Sequence, residues 1–178
     1  MADKIILDAG HGGANPGAMY GGRREKDDAL TLTLAVGELL EDAGVEVYYT
    51  RVGDVYESPY ERAQEANLTG GDYFISIHRN SSVYPNQYSG VESLVYSRGT
   101  GAEELAKNIN AKLEEVGWIN IGVNERKNLV VLNRTEMPAV LLEIGFINTD
   151  RDNELFEKKF TETAEAIAEG VLETLQNA

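Results

Sequence analysis

Short apolar runs alternate with helical patterns along almost the whole of this chain, and that alternation constrains the fold more than any other feature. Lys4-Ile-Ile-Leu-Asp8 reads as a buried strand that runs into a glycine-rich loop over residues 10–22. Asp27 and Asp28 then open a helix carrying Leu30, Leu32, Leu34, Val36, Leu39 and Leu40, which Gly44 ends. Leu32 breaks a clean stripe, so this helix is expected to be buried on more than one side. Residues 45–50 form the next strand. A short helix over 60–68 follows Pro59 and stops at Gly70-Gly71. Tyr73-Phe-Ile-Ser-Ile-His78 is a strand, residues 81–90 are polar and turn-prone, and 91–96 is another strand. Residues 101–116 are helical, with Leu105, Ile109 and Leu113 at four-residue spacing. Two further strands are expected over 128–132 and 139–145, and an amphipathic helix over 154–176 closes the chain. Strands alternating with helices predict an α/β fold with one mostly parallel sheet of about six strands.

No repeat, low-complexity stretch or linker divides the 178 residues, so a single domain spanning 1–178 is expected. The chain has no cysteine, which excludes disulfides, thiolate metal sites and cysteine nucleophiles. A formal net charge of −14 repels phosphate backbones, so nucleic acid is not an expected partner. No 18-residue apolar run is present, so no membrane span is expected. The first residues already read as a strand and lack the basic and apolar regions of a signal peptide. The chain is therefore expected either to be made in the cytoplasm or to be the catalytic piece of a longer exported protein.

In open α/β sheets ligands gather outside the carboxyl ends of strands. The only two histidines lie there: His11 just after the first strand and His78 at the end of the Tyr73 strand. A single histidine is more often structural than a ligand; the whole supply standing at strand ends leaves both readings open. With no cysteine, a third metal ligand has to be oxygen, and catalytic zinc commonly takes two histidines and a carboxylate. Glu25, at the end of the glycine loop, is the candidate. Taken alone, it reads more readily as a helix-start carboxylate favoured by the macrodipole. Glu143 is the one charge in the apolar run Ala139-Val-Leu-Leu-Glu-Ile-Gly-Phe146. Buried without a partner it would be costly; a general base beside a metal explains it better than a structural ion pair. The glycine loop itself fits no phosphate motif. Asn15 stands where a dinucleotide loop needs glycine, and no Gly-Lys-Ser/Thr follows.

These residues resemble a known family. Asp8-Ala-Gly-His-Gly-Gly13, then Pro16-Gly17-Ala18 and Glu25-Lys26, are similar to the opening of the zinc N-acetylmuramoyl-L-alanine amidases of the Amidase_3 type. Thr50-Arg51 with Asp54, Glu61-Arg62 with Ala66-Asn67, and Ser76-Ile-His78 with Asn80 resemble the segments that follow. Met137-Pro138-Ala139, Leu142-Glu143, Gly145-Phe146 and Asn148 resemble the last. The likeness runs from Lys4 to the final helix.

The resemblance implies an open twisted sheet with helices on both faces, one zinc ion (Zn2+) on His11, Glu25 and His78, and Glu143 as the catalytic group. It implies hydrolysis of the amide between N-acetylmuramic acid and the L-alanine of the stem peptide in peptidoglycan, at the bacterial cell wall, by an autolysin or an endolysin. A zinc peptidase cutting another stem-peptide amide and a non-catalytic wall-binding module are the alternatives. A monomer is expected, with any wall-targeting domain outside this chain. Asp8 is a candidate to orient a ligand imidazole or to stabilise a turn. Arg62 and Asn80 are read as structural rather than substrate-binding. Arg79 stands where the family usually has a small residue, and is read as contacting a substrate carboxylate or facing solvent. Residues between Tyr96 and Asn128 leave room for one ordinary helix and no plug, so an open site is expected.

Overall fold

A computed structural model describes residues 2–178. The opening apolar run becomes β1 (Lys4–Ala9), and the glycine loop after it carries a two-stranded hairpin, β2 (Met19–Tyr20) with β3 (Arg23–Arg24). Helix α1 (Glu25–Asp42) starts two residues before Asp27, so Glu25 lies inside its first turn. Then come β4 (Glu46–Tyr49), α2 (Pro59–Thr69), β5 (Tyr73–Asn80), β6 (Val91–Val95) and α3 (Gly101–Val116). The chain ends with β7 (Asn120–Glu125), α4 (Val130–Asn133), β8 (Ala139–Phe146), α5 (Asp150–Lys158) and α6 (Phe160–Asn177). Helix α2 shows how local chemistry sets such boundaries. Ser58 and Glu61 form a reciprocal capping box, Pro59 opens the first turn, and Gly70 closes the last in the left-handed conformation.

Six strands form one sheet in the order β4-β1-β5-β8-β6-β7. Every ladder is parallel except β8 with β6. The larger core packs Ile5, Leu7, Ile75, Ile77, Val140 and Leu142 against α1, α3 and α6. The opposite face is thinly covered. Ile6, Phe74, Leu94, Ala139 and Leu141 pack there under Ala66 of α2 and Val131 and Leu132 of α4. No helix among the described residues is long and apolar enough to cross a membrane.

Two expectations fail. Residues 128–132 are not a strand: Val130–Asn133 form one helical turn that drops Val131 and Leu132 onto the thin face. A short apolar run carries no period of its own, so strand and buried turn look alike in sequence. The strand in this region is β7, at the sheet edge, where polar residues and Gly122 hide it. The closing helix is in fact two. Lys159 leaves helical geometry (φ −118°, ψ 30°), which lets α5 cross the end of β8 while α6 lies along α3 and α1.

Candidate metal centre

Side chains two apart on a strand share a face. On the thin face each central strand changes from apolar to polar towards one end: Ile6 to Asp8, Phe74 to Ser76 and His78, Leu141 to Glu143, Leu94 to Glu92. Register sets His78 beside Glu143 across β5 and β8, and Glu143 beside Glu92 across β8 and β6. Helices α2 and α4 cover only the apolar half. The polar half is left as the floor of a site.

His11, Glu25 and His78 meet above this floor, with one ligand atom from each lying within 4.8 Å of the others. Glu25 Oε1 is 3.0 Å from His11 Nε2 and 3.1 Å from His78 Nδ1. The two rings stand edge to face, 5.1 Å between centroids. Backbone shape permits this crowding. A Cβ on Gly10 would fall 2.3 Å from His78 Cε1, and one on Gly17 would fall 2.6 Å from Glu25 Oε2. His11 itself takes a positive φ of 63°, unusual outside glycine. Arg62 holds that turn by donating to the His11 carbonyl at 2.7 Å. Arg51 donates to the carbonyls of Ala9, Gly10 and Lys26, tying the loop to the start of α1.

Each imidazole has its outward nitrogen engaged. His11 Nδ1 is 3.1 Å from Asn15 Oδ1, which also accepts from the Gly17 N–H. His78 Nε2 is 2.9 Å from Ser76 Oγ. Ser76 spends its one proton on Asp8 Oδ2 at 2.7 Å, so its oxygen is left to accept from His78 Nε2–H. Thr50 donates to the other Asp8 oxygen, and Arg62 Nε lies 3.6 Å from it. These partners fix the tautomers that turn His11 Nε2 and His78 Nδ1 towards Glu25 as lone pairs. Glu25 Oε2 accepts from the Ala18 N–H and Oε1 from the Arg79 N–H. Burial opposes its charge, but imidazoles that take up a second proton, on the nitrogens facing it, outweigh that burial and hold the carboxyl far below the usual range. Two nitrogens and one anionic oxygen, converging and already oriented, are a donor set that can hold a metal ion.

Glu143 stands next to this set with its Oε2 buried and without a hydrogen-bond partner. Burial pushes its carboxyl up to about 7; His78 pulls it down, and Glu25 and Glu92 add to the rise. A group poised there can take or give a proton near neutral pH.

The other sequence candidates separate cleanly. Asp8 reaches His78 through Ser76 rather than directly. Asn80 accepts from the Ser81 N–H and takes no part in the donor set. Arg79 neither faces solvent nor points into the site. It is 3% exposed, donates to Asp28 at 2.7 Å and Asn153 at 2.9 Å, and stacks over Phe156. It fastens α1 and α5 to the end of β5. Sequence reasoning gave no role to Ser76 or Asn15. A hydroxyl two residues before a strand-end histidine, on the same face, is the signal that marks Ser76.

Residues 5–173 match the family described as N-acetylmuramoyl-L-alanine amidase, Amidase_3. The chain belongs to the Amidase_3 family. Among curated relatives of this amidase family, it is 36% identical over 165 residues to a sporulation-specific N-acetylmuramoyl-L-alanine amidase of Bacillus subtilis, covering 90% of this chain and 63% of that one. It is 35% identical over 185 residues to an endolysin of Bacillus phage SPP1, covering 98% of this chain and 67% of that one. The chain thus spans about two thirds of the length of these relatives. The crystal structure of an N-acetylmuramoyl-L-alanine amidase from Clostridium difficile 630 superposes with a TM-score of 0.92 at 32% identity, covering 98% of this chain and 97% of that one. The open, largely parallel sheet is thus the Amidase_3 catalytic fold.

Proposed function

We propose that this chain is a zinc-dependent N-acetylmuramoyl-L-alanine amidase, cutting the amide between N-acetylmuramic acid and L-alanine in peptidoglycan. The observation that carries it is the convergence of His11, Glu25 and His78 beside an orphaned buried oxygen of Glu143. Family membership supports the choice of bond. His11 Nε2, His78 Nδ1 and Glu25 are the residues that would hold one zinc ion. When bound, zinc supplies Lewis-acid polarisation of the amide carbonyl and a water of lowered pKa.

The protein's own contribution is orientation and proton movement. Asn15 and the Ser76–Asp8 pair keep both imidazoles facing inward. Glu143 accepts a proton from the attacking water and returns it to the amide nitrogen as the C–N bond breaks. The leaving L-alanine therefore lies on the Glu143 side of the centre. The wall is the proposed place of action, as the sporulation and phage relatives suggest by their names.

Glu143→Ala tests the division of labour. It should keep zinc, read by elemental analysis, and lose about 100-fold or more of wall hydrolysis. Hydrolysis at the parent rate would remove Glu143 from the reaction.

A further inference from the structure

Glu92 stands on the polar floor outside the donor set of His11, Glu25 and His78. It is the second residue of β6, directly opposite Glu143 in antiparallel register, so both side chains stand on the same face. It is half-buried, with Oε2 accepting from Asn124 Nδ2 at 2.8 Å. No cation pairs with it among the described residues. A carboxylate with no cation beside it, facing the uncovered half of the sheet next to a second carboxylate, is placed to receive a positive group. Gly122 is the register partner of Glu92 on β7, and nothing lies within 4 Å of where a Gly122 Cβ would stand. The row His78, Glu143, Glu92, Gly122 thus leads from the metal centre out to the sheet edge, on the side where the leaving group must go.

The reaction creates a cation on that side. Water adds to the amide carbon, Glu143 carries one water proton to nitrogen, and the C–N bond breaks. The lactyl acid gives up the second proton, and the amine takes it, leaving a carboxylate and an ammonium at neutral pH. We propose that Glu92 is the receptor for this newly formed α-ammonium, selecting a leaving group that ends in a primary amine. The proposal rests on the amidase reading. The substrate's amide nitrogen has one N–H and no charge, so Glu92 grips the departing peptide more firmly than the peptide still attached.

Calorimetry on the zinc-loaded protein tests it without turnover. The probes are a short peptide beginning in L-alanine with a free amine, and the same peptide beginning in L-lactate, with hydroxyl in its place. The native protein should bind the amine about tenfold or more tightly, the scale of a charge-assisted hydrogen bond. Glu92→Gln, which keeps the acceptor for Asn124, should narrow the gap to about twofold. Glu143→Gln should keep the gap. No preference in the native protein, a gap that survives Glu92→Gln, or one that vanishes in Glu143→Gln would each overturn the assignment. Failure of the amidase reading shows separately, as walls that yield no new N-terminal L-alanine.

Discussion

Ser76 shows how one side chain can set the behaviour of a site it does not enter. Its hydroxyl accepts from His78 and donates to Asp8, whose second oxygen is held by Thr50. Ser76→Ala removes the link and leaves His78 free to turn or change tautomer. Loss of such outer partners typically weakens metal binding by 10- to 100-fold. A zinc titration against a competing chelator should show a weakening of about that size, with the fold intact by circular dichroism. At this scale the sequence spoke unevenly. The two histidines were legible because their number is small and their places are strand ends. Glu25 and Glu143 were ambiguous until the family likeness joined them. Arg79 was misread because its partners, Asp28 and Asn153, lie far from it in sequence, and nothing local shows that β5 carries it inward.

The helices make close approaches that propensity alone would get wrong. A Cβ on Gly170 of α6 would meet the Ile109 Cα at 2.6 Å and its N at 2.8 Å, both main-chain atoms of α3. In an isolated helix, glycine to alanine is worth about 1 kcal/mol of stabilisation. Here Gly170→Ala has to push two helices apart, so it should lower the melting temperature. Glu57 carries a second prediction. It is half-buried beside Glu65, and burial first, then Glu65, raise its carboxyl from 4.5 to about 7. A carboxyl whose folded pKa lies above its unfolded value holds its proton more tightly when folded. Its contribution is therefore fully present below about pH 4.5 and lost as the pH rises through about 7. Glu57→Gln should raise the melting temperature at pH 8 and leave it nearly unchanged at pH 4. Element boundaries were legible where the start and stop residues were strong, as at Pro59 and Gly70. They failed at β7 and α4, where an edge strand was polar and a buried turn was apolar.

At the scale of the whole molecule the sheet is asymmetric, and the asymmetry makes the site. Three helices bury one face, while α2 and the single turn of α4 cover half of the other. Alternation within each strand then turns the uncovered half polar, from Asp8 across to Glu92. The sequence pattern predicted the class of fold and the sheet end that matters. It could not show which face would stay open, because that depends on which helices pack where. The proposed reaction of this face is hydrolysis of the bond to L-alanine. Mass spectrometry of purified peptidoglycan after digestion by the zinc-loaded protein tests it most directly. The predicted products are stem peptides with an unmodified N-terminal L-alanine and glycan strands bearing free lactyl carboxylates. Peptides still joined to muramic acid and cut at another amide, or walls left intact by a protein that holds its zinc, would contradict it.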